Sequence, residues 1–219
     1  MRDLARTREK ILEAARAEFC AKGLAGARTA AIARRAGVNK RMLFYCFGSK
    51  EDLYYEILRR KSAESERFLE SMPDRMSAAL VQWDEKCRED VDWVRLLEWE
   101  ALDLSAGPVV IEPARRRFFK AAVAKLRLAQ EQGHLSDEPD IAHLFISLVA
   151  VTVFPYAFPQ LARLITGMAP TDENFLAERT EFLRWLGDRL APRGRPAARR
   201  EGAAQRADGA GSGERRGPR

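Results

Sequence analysis

A short run of cationic and aromatic side chains between residues 39 and 47 carries the strongest chemical signal in this sequence. Lys40 and Arg41 stand at its start, and Phe44 and Tyr45 follow within two helical turns. Cations at the beginning of a helix can reach phosphate oxygens or base edges. A short helix that presents two cations and aromatic groups on its outer surface is suited to the major groove of DNA.

The residues before this run predict a first helix that supports it. Over residues 29–36, small and apolar side chains recur at helical spacing on one face. The hydroxyl of Thr29 is the expected N-terminal cap. Gly37 follows at the point where a helix end commonly needs a left-handed residue. We therefore expect a tight turn at Gly37 and Val38 between two short helices.

The second helix is predicted to begin at a cap and to end where a third helix starts. Asn39 is its expected cap, and Leu43 and Phe47, four residues apart, can pack it back on the first helix. Ser49 is the expected cap of the third helix. Free backbone N–H groups at that helix start, next to Lys50, predict a phosphate site. Helix–turn–helix geometry also occurs in proteins that never bind DNA, so spacing alone leaves the function open.

A longer ordered pattern surrounds this helix–turn–helix. It comprises Thr7-Arg8-Glu9-Lys10-Ile11-Leu12-Glu13-Ala14-Ala15, then Phe19 and Gly23, Ile32-Ala33, Ala36-Gly37-Val38, Leu43-Phe44, Phe47 and Ser49-Lys50-Glu51. In order and register it resembles the N-terminal domain of TetR-type (TetR/AcrR) bacterial transcriptional regulators. The resemblance covers about the first quarter of the chain. It implies an all-α protein that binds double-stranded operator DNA as a homodimer.

Several residues depart from the family pattern. Asn39 stands where Ser or Thr is common, Arg41 where Gly is common, Phe44 where Tyr is common, and Tyr45 where His is common. Arg41 and Met42 change the surface that would read bases, so the resemblance does not imply the operator sequence.

Together, the residues and the resemblance predict a set of DNA contacts. Base edges are assigned to Lys40, Arg41 and Met42, and phosphates to Arg28, Thr29, Tyr45 and Lys50, with Asn39 and Phe44 completing the surface. Two such helices on a two-fold axis imply a near-palindromic site with half-sites one helical turn apart, about 34 Å.

Charge is distributed unevenly along the 219 residues. Residues 1–50 hold 12 Lys and Arg against 4 Asp and Glu, residues 51–191 hold 18 against 25, and residues 192–219 hold 8 against 3. A basic end is the electrostatic footprint of a nucleic-acid-binding domain. We therefore predict a helix–turn–helix DNA-binding domain over 1–50, a helical ligand-binding and dimerisation domain over 51–191, and a disordered basic tail over 192–219.

Helical periodicity predicts about nine helices in total, with a loose arm over residues 1–7. The expected ranges are 7–22, 29–36, 39–47, 50–71, 76–88, 91–105, 112–132, one helix within 139–166, and 172–190. Residues 144–154 are nearly all apolar, but Pro155 and Pro159 interrupt the run, which argues against a membrane span. This apolar helix and the last helix, 172–190, are both too apolar for a lone surface helix. Together they indicate a four-helix interface between two subunits. Its expected contacts are Leu148, Val151, Phe154, Phe175, Phe182 and Leu186.

The family resemblance also implies a small-molecule pocket whose ligand releases DNA. Its candidate lining residues are Trp83, Trp93, Leu97, Glu100, Phe119 and Phe145. Any one of them by itself is better explained as ordinary core. As a set, three tryptophans within 17 positions of an acidic domain favour a small hydrophobic, aromatic or cationic effector.

The sequence contains no pattern for catalysis or for a metal or cofactor site. It has no Walker-type loop, no G-x-S-x-G, no H-E-x-x-H and no paired C-x-x-C, and its two histidines have no oriented partner nearby. Three cysteines without close pairs and no secretory signal make a reducing cytoplasm the expected compartment. Two alternatives to a ligand-released repressor stay open. One is an activator of the same fold without a ligand, and the other is a helical interaction protein whose basic end binds RNA or an acidic partner.

Overall fold

The computed structural model describes residues 2–103 and 111–192, and every regular element within these ranges is a helix. The ten helices are α1 Arg2–Gly26, α2 Thr29–Ala36, α3 Lys40–Phe47, α4 Lys50–Ser71, α5 Met76–Glu89, α6 Val91–Asp103, α7 Glu112–Glu131, α8 Ile141–Ala157, α9 Pro159–Thr166 and α10 Glu173–Arg189. The predicted all-α class is confirmed. The expected tail lies outside the described residues from residue 193 onward.

The structure has one more helix than expected because the apolar stretch over 139–166 folds as two helices. α8 continues past Pro155, and α9 begins at Pro159 after a bend of 91°. A proline lacks the N–H that would donate to the carbonyl four residues earlier, here Val151. Arg179 of α10 donates to that carbonyl instead. This replacement partner explains why α8 passes through Pro155, where an interruption was predicted.

The apolar character of α8 and α9 bears on membrane insertion. Within the described ranges, no single helix is long and apolar enough to cross a membrane. α8 and α9 meet the criteria of length and composition only as a bent pair.

The first helix is longer than expected at both ends. α1 begins at Arg2, so the predicted loose arm is helical from its second residue. Near its other end, Gly23 leaves the helical path with φ 66° and ψ 178°. A Cβ atom at Gly23 would lie 2.9 Å from the ring of Trp99. Glycine at this position therefore permits both the left-handed backbone and the close approach of α6.

The N-terminal hydrophobic core extends beyond residue 50, where the domain boundary was predicted. The boundary itself stays a prediction. Ile11 and Phe19 of α1 pack with Ile32 of α2 and Leu43 of α3. The same cluster takes in α4 as far as Leu58, and Leu96 of α6. Burial of each such side chain contributes about 1.5–3 kcal/mol. The part predicted to bind DNA is therefore packed directly against the larger helical part.

A buried polar cluster joins α5, α8 and α10. The hydroxyl of Tyr156 donates to Asp84 Oδ2 at 2.7 Å, and Arg179 Nε donates to Asp84 Oδ1 at 3.2 Å. Burial, followed by the hydrogen bond to Asp84, raises the pKa of Tyr156, so its phenol stays a neutral donor. The arginine that supports α8 at Val151 is thus itself held by a buried carboxylate.

We expect Gly187→Ala to destabilise the protein strongly, since α10 crosses α5 at this glycine. A Cβ at Gly187 would lie 2.3 Å from Ser77 Cα and 2.4 Å from Ser77 N, and backbone atoms cannot move aside as a side-chain tip can. The loss should reach or exceed about 1–3 kcal/mol of unfolding free energy in urea titrations. Gly26→Ala is the control, because its only close neighbour is the Lys22 side chain at 3.3 Å. An equal effect at both positions would contradict the crossing argument.

Candidate DNA-binding surface and effector cavity

Local hydrogen bonds shape the turn between α2 and α3. Gly37 is left-handed at φ 69° and ψ 31°, as predicted. The N–H of Val38 donates to the carbonyl of Ala33 at 3.0 Å and closes the end of α2. Asn39 Oδ1 then accepts the N–H of Met42 at 2.8 Å, which confirms Asn39 as the cap of α3.

The start of α2 differs from the prediction. Arg28 occupies the N-cap position in an extended conformation, and no side chain caps the helix, whereas Thr29 is already helical. The first N–H groups of α2 therefore lack a side-chain acceptor. Uncapped N–H groups at a helix start are a favourable place for an anion such as phosphate. Glu18 Oε1 accepts the backbone N–H of Arg28 at 3.4 Å and leaves the arginine side chain exposed.

α3 buries Leu43 and Phe47 and exposes two of the three residues predicted to read bases, Lys40 and Arg41. Leu43 and Phe47 lie in the N-terminal core. Lys40 and Arg41 are exposed, and Tyr45 is 73% exposed. Because side chains three and four apart share a helix face, Arg41 and Tyr45 lie together on the side opposite the core.

Five of the nine predicted contact residues line one open cleft between the starts of α2, α3 and α4. They are Arg28, Thr29, Lys40, Phe44 and Lys50. The ammonium nitrogen of Lys40 lies 5.7 Å from the ring centroid of Phe44. The other four predicted contact residues lie outside the cleft, namely Asn39, Arg41, Met42 and Tyr45. The folded domain thus offers a basic cleft beside a separate exposed face of α3.

Lys50 also holds the fold together. Its Nζ donates to the carbonyl of Leu24 at 2.8 Å and to that of Ala27 at 3.4 Å. These bonds tie the start of α4 to the chain around the end of α1. Ser49 Oγ accepts the N–H of Asp52 at 2.9 Å, which confirms the predicted cap of α4.

Arg8 supports the far end of α3, a role that sequence reasoning missed. Its guanidinium donates to the carbonyl of Cys46 and lies 4.3 Å from the ring centroid of Phe47. A cation is favourable at the carbonyl end of a helix. No local spacing rule connects residue 8 with residue 46, so no sequence signal could have found this contact.

The larger helical part encloses a cavity of about 170 Å³ with walls from α4, α5, α6, α7 and α8. Five of the six predicted lining residues meet there, namely Trp83, Trp93, Leu97, Phe119 and Phe145. The ring centroids of Trp83 and Phe145 are 5.7 Å apart, and those of Phe119 and Phe145 are 6.2 Å apart. The cavity is therefore lined largely by aromatic surface.

Several wall residues were missed because their burial depends on the tertiary fold. Lys61 and Ser62 are buried in a stretch of α4 that reads as polar and exposed in the sequence. Phe68 and Phe118 add further aromatic surface, and Arg115 adds a cation. A second cavity of about 460 Å³ shares the walls formed by Leu69, Met72, Trp83, Ala122 and Phe145.

Glu100 and Trp99 do not line the enclosed cavity. Glu100 Oε2 accepts a hydrogen bond from Arg115 Nη1 at 2.5 Å, and Arg115 is the member of this pair on the wall. The indole N–H of Trp99 donates to the carbonyl of Cys20 at 3.1 Å, so its ring packs on α1. Only two of the three clustered tryptophans therefore face the cavity.

Two ionisable groups on the cavity wall have defined charge states. Lys61 Nζ donates to Asp90 Oδ2 at 2.8 Å and to Glu64 Oε2 at 3.0 Å. Burial acts to lower the pKa of Lys61, but its bonds to the two carboxylates outweigh burial and raise it, so the ammonium stays charged. Burial raises the pKa of the Cys87 thiol to about 12, so this group stays neutral.

The structure places the six residues predicted for the dimer interface at different depths in the single subunit, and the interface itself stays a prediction. Leu148 and Phe175 are 3% and 5% exposed in the single subunit, because α8 and α10 use these residues for the subunit's own core. Val151 and Leu186 are half-buried against that core. Only Phe154 and Phe182 are exposed.

Comparison with known proteins decides the family. Residues 11–57 match the profile described as bacterial regulatory proteins of the tetR family, and residues 82–185 match that of the tetracyclin repressor-like C-terminal domain. The HTH-type transcriptional repressor SCO4008 of Streptomyces coelicolor is 30% identical over 166 residues, which cover 76% of this chain and 86% of that protein. The chain belongs to the TetR family.

A second relative agrees with this assignment, and two solved structures share the fold. The HTH-type transcriptional repressor NicS of Pseudomonas putida is 30% identical over 162 residues, covering 68% of this chain and 75% of that protein. The crystal structure of the regulator SCO4942 of Streptomyces coelicolor matches with a TM-score of 0.72 at 23% identity, over 86% of this chain and 99% of that one. The regulator KstR2 of Mycobacterium tuberculosis matches with a TM-score of 0.63 at 20% identity, over 84% and 95%. This TetR-family protein is a DNA-binding transcriptional regulator.

Proposed function

We propose that this regulator represses transcription by binding a near-palindromic operator as a homodimer, and that a small hydrophobic or aromatic effector releases it. The observation that carries the proposal is the exposed face of α3 with Arg41 and Tyr45, which rests on the buried Leu43 and Phe47. A rigid helix that presents a cation and an aromatic group is suited to the major groove. The two relatives described above, SCO4008 and NicS, are both repressors.

The proposed contacts fall into two groups. Lys40, Arg41 and Met42 contact base edges in the major groove. Phosphates are bound by Tyr45 and by the cleft residues Arg28, Thr29 and Lys50. The uncapped N–H groups at the start of α2 add donors for one of these phosphates. Phosphate contacts position the helix, and base contacts select the sequence.

The proposed dimer uses the exposed apolar surface of α8, α9 and α10. This surface is formed by Ile146, Phe154, Phe158, Leu161, Leu164, Ile165, Phe182 and Trp185. The rings of Phe154 and Phe158 lie 5.5 Å apart, and those of Phe182 and Trp185 lie 5.9 Å apart. Large exposed apolar patches are uncommon on monomers and mark contact surfaces. A two-fold axis through this surface would place two α3 helices on one face of the dimer.

α6 is the proposed link between the cavity and the DNA-binding part. Trp93 and Leu97 lie on the cavity wall, whereas Trp99 of the same helix donates to the carbonyl of Cys20 in α1. Asp92 pairs with Arg16 of α1 at 3.3 Å. An effector that prefers a shifted position of α6 would therefore move α1 and the helix–turn–helix core. Release requires tighter effector binding to the shifted arrangement than to the DNA-bound one.

Selection from a pool of random-sequence DNA duplexes tests this function. At near-physiological salt, the unmodified protein should enrich a palindrome over several rounds. The variant Lys40→Ala/Tyr45→Ala should not, whereas Arg67→Ala, exposed on α4 outside the proposed DNA and dimer surfaces, should behave as the unmodified protein does. Transcription from a promoter that carries the recovered site should fall when the protein is present.

Weak binding that is equally salt-sensitive in all three proteins would contradict the proposal. The basic end would then be tested against RNA and acidic proteins. Increased transcription from the recovered site would instead identify an activator.

A further inference from the structure

We propose that the effector is an aromatic carboxylate whose acid group binds Arg115. This inference rests on the proposed function, because it names the ligand class for the same enclosed cavity. The notable feature is a buried arginine on the wall with only part of its hydrogen-bonding capacity used.

One edge of the Arg115 guanidinium is buried and unsatisfied. The side chain is 12% exposed, and Nη1 donates to Glu100 Oε2 at 2.5 Å. Nε and Nη2 are buried and have no hydrogen-bond partner among the described residues. Buried donors in folded proteins are nearly always paired. An arginine that leaves two of them unpaired on a cavity wall is therefore suited to a ligand.

The two free nitrogens have the geometry that selects a carboxylate. Nε–H and Nη2–H project in parallel from the same edge of the planar guanidinium, while Glu100 occupies Nη1. A carboxylate accepts two parallel N–H bonds of this kind through its two oxygens. A neutral amide or alcohol offers a single acceptor atom to that edge. A lysine could not present the same fork.

Arg115 stands at the boundary between the enclosed cavity and the outside. Both Arg115 and Phe119 line the enclosed cavity and also an open groove along α7. The Arg115 guanidinium carbon lies 5.5 Å from the ring centroid of Trp93. A ligand can thus keep its acid group at the boundary while its ring enters between the aromatic walls.

The cavity has the size of a small aromatic ring. Its volume is about 170 Å³, and an apolar cavity of about 150 Å³ is known to hold benzene. The neighbouring cavity of about 460 Å³ lies against the same Trp83 and Phe145 walls. The dimensions of the first cavity favour benzoate-like acids, and a naphthoate-like acid would extend its second ring past these walls.

The charges on the wall disfavour the cationic effector that the tryptophan content had favoured. Both acidic residues of the enclosed cavity, Glu64 and Asp90, pair with Lys61. Lys86 also lies on the wall, 3.7 Å from Asp90. A cationic ligand would therefore meet two lysines and an arginine. Among the described residues, the one buried carboxylate oxygen without a hydrogen-bond partner, Glu100 Oε1, belongs to a residue that does not line the cavity. An anion meets the same three cations and a free guanidinium edge.

The test uses benzoate and 2-naphthoate, each beside its carboxamide and its methylamine analogue. Binding is followed by the rise in melting temperature and by the fluorescence of Trp83 and Trp93, which line the cavity. We expect the acids, and not the amides or amines, to raise the melting temperature by several degrees. Arg115→Gln and Arg115→Lys should each weaken binding of the acids about tenfold or more.

Two further variants separate ligand binding from a structural role. Arg116→Gln is the matched control, because the neighbouring Arg116 side chain is 64% exposed and pairs with Glu112. It should bind the acids as the unmodified protein does. Glu100→Gln removes the negative charge that competes for Arg115, so it should bind the acids several-fold more tightly. A merely structural pair would not yield tighter binding when it is broken.

Three results would overturn the inference. They are equal stabilisation by the amides or amines, undiminished binding of the acids by a folded Arg115→Lys variant, and no binding of either acid at millimolar concentration. DNA release by a neutral aromatic compound such as 2-naphthalenemethanol, without any effect of the acids, would overturn the carboxylate proposal and leave the proposed function intact. If instead the protein binds the acids but selects no operator, the ligand class would be supported and the proposed function would be overturned.

Discussion

Arg41→Ala should reduce affinity for the operator by roughly 30-fold to 10⁴-fold while leaving binding to random duplex DNA little changed. The side chain is exposed on the face of α3 opposite the core. A bidentate contact between arginine and a base contributes about 1–3 kcal/mol of discrimination. A homodimer loses the contact in both half-sites, so the expected loss is about 2–6 kcal/mol. Fluorescence anisotropy with the recovered operator and with a scrambled duplex measures both affinities.

A matched substitution separates base reading from phosphate binding. Arg28→Ala, in the cleft at the start of α2, should weaken binding to all sequences and reduce the salt dependence. Because both arginines are exposed, neither change should shift the urea midpoint appreciably. Equal loss of affinity for operator and scrambled DNA in Arg41→Ala would place Arg41 on the phosphate backbone instead.

Arg179→Met should destabilise the protein by about 3–5 kcal/mol, the largest stability effect that we expect from one side chain. The change leaves the buried Asp84 carboxylate without its cation. It also removes the donor that replaces the missing Pro155 N–H at the carbonyl of Val151. Urea unfolding at fixed protein concentration measures the loss, because dimerisation makes stability depend on concentration.

A second ion pair in the same region provides the control. Arg75 Nη2 and Asp188 Oδ1 are 3.0 Å apart, close to the 3.2 Å between Arg179 Nε and Asp84 Oδ1, but their side chains are 76% and 52% exposed. Arg75→Met should therefore leave the urea midpoint almost unchanged, because exposed ion pairs contribute little to stability. In a Pro155→Ala background, the restored N–H can donate to Val151, so the loss caused by Arg179→Met should be smaller. Equal losses with and without Pro155 would contradict the role of Arg179 at the carbonyl.

The coupling proposed through α6 connects these predictions to regulation. Trp99 and Asp92 contact α1 from the same helix that lines the cavity with Trp93 and Leu97. The hydrophobic core around Leu96 makes α6 part of the DNA-binding unit as well. A ligand at Arg115 would therefore act on α6, which Arg115 contacts through Glu100 and Trp93. α6 belongs both to the cavity wall and to the core of the DNA-binding part.

Features governed by residues close together in the chain could be predicted from the sequence. The Asn39 and Ser49 caps, the left-handed Gly37 and the buried face of α3 each depend on contacts within about one helical turn. Local hydrogen bonds and periodicity are sufficient physical causes for these features. Five of the six residues predicted to line the cavity do so, and that prediction came from the family resemblance rather than from local spacing.

Only the tertiary structure decided which distant groups meet. Periodicity shows that a helix has an apolar face but not what covers it, so Leu148 turned out to belong to the subunit core. In the same way, Arg8 reaches the end of α3, and Arg179 permits α8 to pass Pro155. The free edge of Arg115 follows from the packing of α7 against α6 and its partner Glu100. Polar side chains find their partners across long sequence separations, and only the packed helices determine which partners come within hydrogen-bonding distance.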